Sequence, residues 1–210
     1  MFAAYVWSMK KPILLAVLAL FIPLFISGVA WAKDPRVIQA ENWLQNLKTA
    51  TANFEQKGYD GRIAKGRFFI NRPGKLRFEY TTSKDLVVAD NVLIHFYDAE
   101  QNQSSSSPIG LTLADFLLRK NTRLDGDLTV TNVRTKNGIV SMAVAQAADQ
   151  SAGQLILNFT ENPFQLHSWI VLDAQGLQTE VRLSNLETGM DLPYGLFVFK
   201  DPSGRNQLNN

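Results

Sequence analysis

The sequence predicts a mainly β (α+β) protein: a long antiparallel meander curved into an open sheet or partly closed barrel, with two amphipathic helices set against it. Three observations carry this prediction. A period of two dominates from residue 49 onward, turn-forming residues recur at hairpin intervals, and helical spacing is confined to one segment after residue 34 and another after residue 112.

Lys10 and Lys11 lead into an uncharged run, Pro12 to Ala32, that closes on Ala30-Trp31-Ala32 before Lys33 and Asp34. A positive entry, an apolar stretch and a small-x-small end are the marks of a secretion signal cleaved after Ala32. The run also approaches the length of a membrane anchor, about 20 residues, but Pro23 and Ser27-Gly28 interrupt it as a continuous helix. The expected organisation is therefore a signal at 1–32 and one domain at 33–210. Without Lys10 and Lys11, the 21 basic residues fall to 19, equal to the 19 acidic ones. A formally neutral mature chain has no global field to recruit nucleic acid. Cysteine is absent, which excludes disulfides, thiolate metal sites and a lipid-modified cysteine, and fits a periplasm-like compartment.

Asp34-Pro35 reads as a helix start, since Asp accepts from free amides and proline at the first turn sacrifices no hydrogen bond. Val37, Ala40, Trp43, Leu44 and Leu47 follow at helical spacing, with Arg36, Gln39, Glu41 and Asn46 elsewhere. Then the alternation begins: Ala50, Ala52 and Phe54, and later Leu76, Phe78 and Tyr80, take one face, with polar residues between. Asp60-Gly61, Arg72-Pro73-Gly74, Asp90-Asn91, Asn137-Gly138, Asn162-Pro163 and Gln175-Gly176 supply the turns. Later strands are expected at Leu128–Arg134, Ile139–Ala145, Gln154–Thr160, Gln165–Leu172, Gln178–Leu186 and Leu196–Lys200, about ten in all. Ser104 to Ser107 with Pro108 reads as a flexible lead-in to a second helix. Thr112 and Asp115 form a capping pattern, Leu113, Phe116 and Leu117 its apolar side, and Arg119 and Lys120 its last turn.

Chemistry is sparse. The two histidines, His95 and His167, occupy strand-like runs without the company a catalytic base or metal site requires, and no Gly-x-Ser-x-Gly elbow stands near His167-Ser168. Asp125 and Asp127 around Gly126 lack the distal glutamate of a calcium loop and read as a turn. The basic run from Arg62 to Arg77, with its interleaved aromatics, is what alternation gives a half-buried hairpin. Arg72 is the exception, because it shares parity with Phe68 and Ile70. It either points inward, needing carbonyl or carboxylate partners, or escapes to solvent at the turn. A curved sheet and two apolar helices enclose either a filled core or a lidded cavity, and the pattern alone does not choose.

The sequence resembles the LolA-like periplasmic carriers of outer-membrane lipoproteins. The resemblance lies in Asn53-Phe54-Glu55-Gln56, Gly66 ahead of Phe68-Phe69-Ile70, Arg72-Pro73-Gly74-Lys75-Leu76-Arg77-Phe78, and Tyr97-Asp98 with Gln103. It continues in Trp169-Ile170-Val171-Leu172-Asp173-Ala174-Gln175-Gly176, Thr179, and Leu196-Phe197-Val198-Phe199 before Asp201-Pro202. It implies an incompletely closed antiparallel barrel with a helical lid over an apolar cavity, no catalysis, no cofactor and no metal. It also implies a monomer whose partners are acylated lipoproteins, an inner-membrane ATP-driven release complex and an outer-membrane acceptor. The arginine before the turn proline, here Arg72, is expected to latch the lid by hydrogen bonds to lid backbone. Candidate cavity residues are Trp43, Leu44 and Leu47, then Phe68, Ile70, Leu76, Phe78 and Tyr80, then Phe116 and Leu117. Asn91, where the family often has glycine, and the serine run depart from the pattern. The rival readings are a carrier or sensor of another amphiphile and an exported hydrolase.

Overall fold

The computed structural model describes residues 33–112, 115–147 and 153–204. The chain divides into two units, Met1–Ala32 and Lys33–Asn210; the expected signal and the placement of Leu113 lie outside the described residues.

Helix α1 (Pro35–Asn46) opens as its sequence requires: Asp34 accepts from the Arg36 amide at 2.8 Å. Among the described residues eleven antiparallel strands follow: β1 (Thr49–Lys57), β2 (Ile63–Asn71), β3 (Lys75–Tyr80), β4 (Leu86–Asp90), β5 (Leu93–Asp98), β6 (Gln103–Pro108), β7 (Leu128–Lys136), β8 (Ile139–Gln146), β9 (Gly153–Glu161), β10 (Phe164–Asp173) and β11 (Gln178–Thr188). Their order is β6-β5-β4-β3-β2-β1-β11-β10-β9-β8-β7, so every neighbour is a hairpin partner except β1 and β11, which join the two arms. The sheet is not closed. The stretch from Ile109 to Asp127 leaves one edge and enters the other, carrying a 3-10 turn (Ile109–Leu111) and one-turn helix α2 (Asp115–Leu118).

Two strand assignments differ from expectation. The serine run is edge strand β6, laddered along β5 from Pro108 to Gln103; serine's weak strand preference yields to pairing, and a polar edge suits exposure. Leu196–Lys200 is no strand. A 3-10 turn (Tyr194–Phe197) carries the chain across the outer face of β3–β6, where Arg77 Nη1 donates to the Leu196 carbonyl at 3.1 Å and Phe199 stacks on His95 at 4.6 Å. Both sides of β3 are already laddered, so the Phe197/Phe199 alternation packs on the sheet instead of extending it. The capping pattern is also rewired: the Thr112 hydroxyl donates to the Ile109 carbonyl, closing the 3-10 turn. Glu41, placed off the apolar stripe by sequence, is buried with Val37, Ala40 and Leu44.

Gly66 shows how tightly the sheet curves. A Cβ there would lie 1.9 Å from the Glu79 carbonyl oxygen and 2.6 Å from the Phe54 ring. Gly66→Ala is therefore expected to cost at least about 1–3 kcal/mol by overpacking, whereas Gly126→Ala, with nothing within 4 Å, should be tolerated; urea midpoints of the two variants make the comparison. Asn91 holds its turn at φ 92°, a conformation asparagine reaches more readily than most residues, which accounts for its standing in for glycine.

Candidate functional site: a buried arginine clasp over an apolar interior

The inward strand parity of Phe68 and Ile70 continues into Arg72, which is 7% exposed. Its guanidinium meets the ends of both helices. Nη1 donates to the Leu47 carbonyl at the end of α1 (3.4 Å), while Nη2 donates to the Arg119 carbonyl just past α2 and to the Thr122 hydroxyl at 2.9 Å. Helix C-termini leave carbonyls unpaired and bear partial negative charge, so they solvate a cation without a carboxylate. Nε has no partner among the described residues, and burial lowers the Arg72 pKa. The turn itself adds a main-chain bond, Gly74 amide to Leu118 carbonyl at 2.9 Å.

Three residues missed by sequence reasoning complete the clasp. Thr122, fully buried, donates to the Phe116 carbonyl at 3.1 Å, and its own carbonyl accepts from Gln45 of α1 at 3.2 Å. Glu41 accepts from the Leu124 amide at 2.5 Å and pairs with Lys33 at 2.6 Å. Glu41 was detectable, since residues 37, 41 and 44 share a helical face; Thr122 and Lys33 carried no signal. Asp125 pairs with Arg123 and Lys33, which hold its carboxyl down at about 2. These pairs support the turn reading of Asp125-Gly126-Asp127.

All ten candidate cavity residues fall in or against one apolar cluster. Leu44, Leu47, Phe68, Ile70, Leu76, Phe116 and Leu117 are buried, and Trp43, Phe78 and Tyr80 pack partly buried against them. The rings touch: Phe68 to Phe78 at 4.9 Å, Phe78 and Phe116 each to Trp169 at 6.3 Å, and Phe54 to Tyr80 at 5.0 Å. These side chains pack together in the apolar cluster. Phe54 and Trp169 join the candidates; alternation with Ala52 and with Val171 marks them.

Tyr80 donates to Gln56 at 2.8 Å, and burial, reinforced by the field of Asp85, pushes its pKa up to about 12. The folded state thus favours the neutral phenol. Stability from this site is complete below the ordinary value of 10 and is lost as pH rises from 10 through about 12. Tyr80→Phe is expected to raise the alkaline unfolding midpoint, read by circular dichroism along a pH titration.

Asp90, His95 and Ser106 form a chain, with His95 Nε2 3.1 Å from Asp90 and Nδ1 2.8 Å from Ser106. Its order resembles a hydrolytic triad, but the imidazole lies under Phe199, and Ser106 sits in the ladder opposite His95, not on an exposed elbow. It ties β4, β5 and β6 to the C-terminal segment. His167 falls at the irregularity between Leu166 and Ser168 in β10. No group of three or more metal-ligating side chains occurs among the described residues.

Fold and site together define a half-open antiparallel barrel, capped by helices and clasped by a buried arginine over an apolar interior. The family model described as "Outer membrane lipoprotein carrier protein LolA" matches residues 45–200, and the chain belongs to that family. It is 26% identical over 193 residues to an outer-membrane lipoprotein carrier protein of Methylococcus capsulatus, covering 87% of this chain and 92% of that one. The Neisseria meningitidis serogroup C protein of the same name is 30% identical over 154 residues, 71% and 73% of the two chains. Among solved structures, a LolA superfamily protein from Nitrosomonas europaea aligns over 78% of this chain and 96% of its own with TM-score 0.44 and 9% identity.

Proposed function

We propose that this protein is a periplasmic carrier that binds the acyl chains of lipoproteins leaving the inner membrane and delivers them to the outer membrane. The observation that carries the reading is the Arg72 clasp, which joins both helices over an interior made of aromatic and aliphatic side chains. Burying each methylene of a ligand is worth about 0.8 kcal/mol, so acyl chains can compete with the protein's own rings once the helices lift. Closure of the clasp restores the filled core and favours release. An inner-membrane ATP-driven complex loads the carrier, an outer-membrane acceptor unloads it, and a monomer suffices for both steps. Residues 1–32 direct export and are removed, leaving 33–210 as the working domain; among the described residues no helix is long and apolar enough to cross a membrane. The carrier performs no catalysis.

Mass spectrometry of protein isolated from its native periplasm tests this reading. Co-purifying triacylated protein and a mature N-terminus at Lys33 are expected. Free lipid in place of lipoprotein would identify a carrier of another amphiphile, and an empty protein under loading conditions would count against both.

A further inference from the structure

The apolar interior meets solvent beside the clasp. Between α2 and the β7–β9 arm lies a cleft of about 350 Å³, at the lower end of the roughly 300–1,000 Å³ typical of ligand sites. Phe116, Leu128, Val144 and Leu155 line it; all four belong to the central cluster. Arg119 and Asp127 also line it. Arg119 Nη1 donates to both carboxylate oxygens of Asp127, at 2.9 and 2.7 Å, and Nη2 pairs with Asp115 one turn back on α2. The main-chain carbonyl of this same Arg119 accepts Nη2 of Arg72. One residue therefore touches the clasp through its backbone and ties α2 to the entry of β7 through its side chain.

We propose that this cleft is the portal by which acyl chains reach the interior and that Arg119 gates it; the proposal rests on the carrier reading above. A methylene chain cannot cross a hydrogen-bonded ladder without breaking it, and every strand from β6 to β7 is paired to its neighbour, with only local register irregularities. At this cleft one wall is the crossover segment, held by side-chain ion pairs and the clasp. The volume seats part of one chain, so a cargo with several chains requires α2 to swing away from Asp127. The ligand class is an amphiphile with extended acyl chains whose ester or amide end rests at the polar rim, beside Arg119 and Gln146.

The absence of cysteine allows a direct test. Gln146→Cys at the rim and Arg182→Cys on exposed β11 each receive a thiol-linked benzophenone, and the protein is loaded with a synthetic triacylated lipopeptide. Cross-linking is expected several-fold stronger from position 146. In parallel, Arg119→Ala is expected to raise lipopeptide association and dissociation rates together by roughly three- to ten-fold, the range that loss of two part-exposed ion pairs allows, with little change in Kd. Asp127→Asn, which leaves the Arg119 side chain in place, is expected to act in the same direction. Lipopeptide that binds with unchanged rates in both variants, or that cross-links equally from both positions, would overturn the portal while leaving the carrier intact. Lipopeptide that does not bind the wild-type protein would overturn the carrier reading as well.

Discussion

Arg72→Leu is expected to give a folded protein that still takes up acylated cargo but hands it over far more slowly. Three hydrogen bonds from the guanidinium are lost, to Leu47, Arg119 and Thr122. At roughly 1 kcal/mol net each, partly offset by relief from burying a cation, the closed state loses about 2–3 kcal/mol, or about 30- to 160-fold in the closed-to-open ratio. In the proposed mechanism uptake uses the open state and is spared. Delivery needs closure, because the returning rings of Phe68, Phe78, Phe116 and Trp169 are what compete with the acyl chains. Arg72→Lys should fall between, since a single ammonium cannot reach both helix ends in the fixed geometry of a guanidinium. The measurement is transfer of a labelled lipoprotein from the loaded carrier to acceptor membranes; transfer at the wild-type rate would remove Arg72 from the mechanism.

Phe159→Ala is expected to be the most damaging single truncation for stability. Phe159 is fully buried, stacks on Phe164 at 5.0 Å and meets the edge of Trp43 at 5.7 Å, so it joins β9, β10 and α1. Removing a buried phenylalanine side chain costs about 3–5 kcal/mol, which in a domain of this size lowers Tm by roughly 6–20 °C. Differential scanning calorimetry of the variant checks it. The two substitutions separate two jobs. Phe159 stabilises the folded state as a whole, whereas in the proposed carrier mechanism Arg72 acts on the balance between a closed and an open arrangement.

The strands of the meander were legible because alternation and turn chemistry are local. Asp173 illustrates this: its carboxylate accepts from the amides of Gln175 and Leu177, and Gly176 of the Gln175-Gly176 pair that predicted the turn takes φ 79°. Segments whose partners are distant were misread. The serine run is a strand only because β5 offers it an edge, and Phe197 and Phe199 alternate without pairing because the sheet beneath them is already laddered. Glu41 reads as a solvent-facing helix residue until Leu124 and Lys33 arrive beside it.

The sequence by itself determined the mainly β class and most of the turns, and it put Arg72 on the same strand face as Phe68 and Ile70 without choosing between an inward guanidinium and one that escapes to solvent, since parity along one strand names a face but not what waits there. Only the tertiary structure decided what that arginine touches. Its partners are carbonyls and a hydroxyl from residues 25, 47 and 50 positions away; main-chain carbonyls belong to every residue alike, and nothing in the side-chain pattern marks which of them the fold will leave unpaired beside a buried charge.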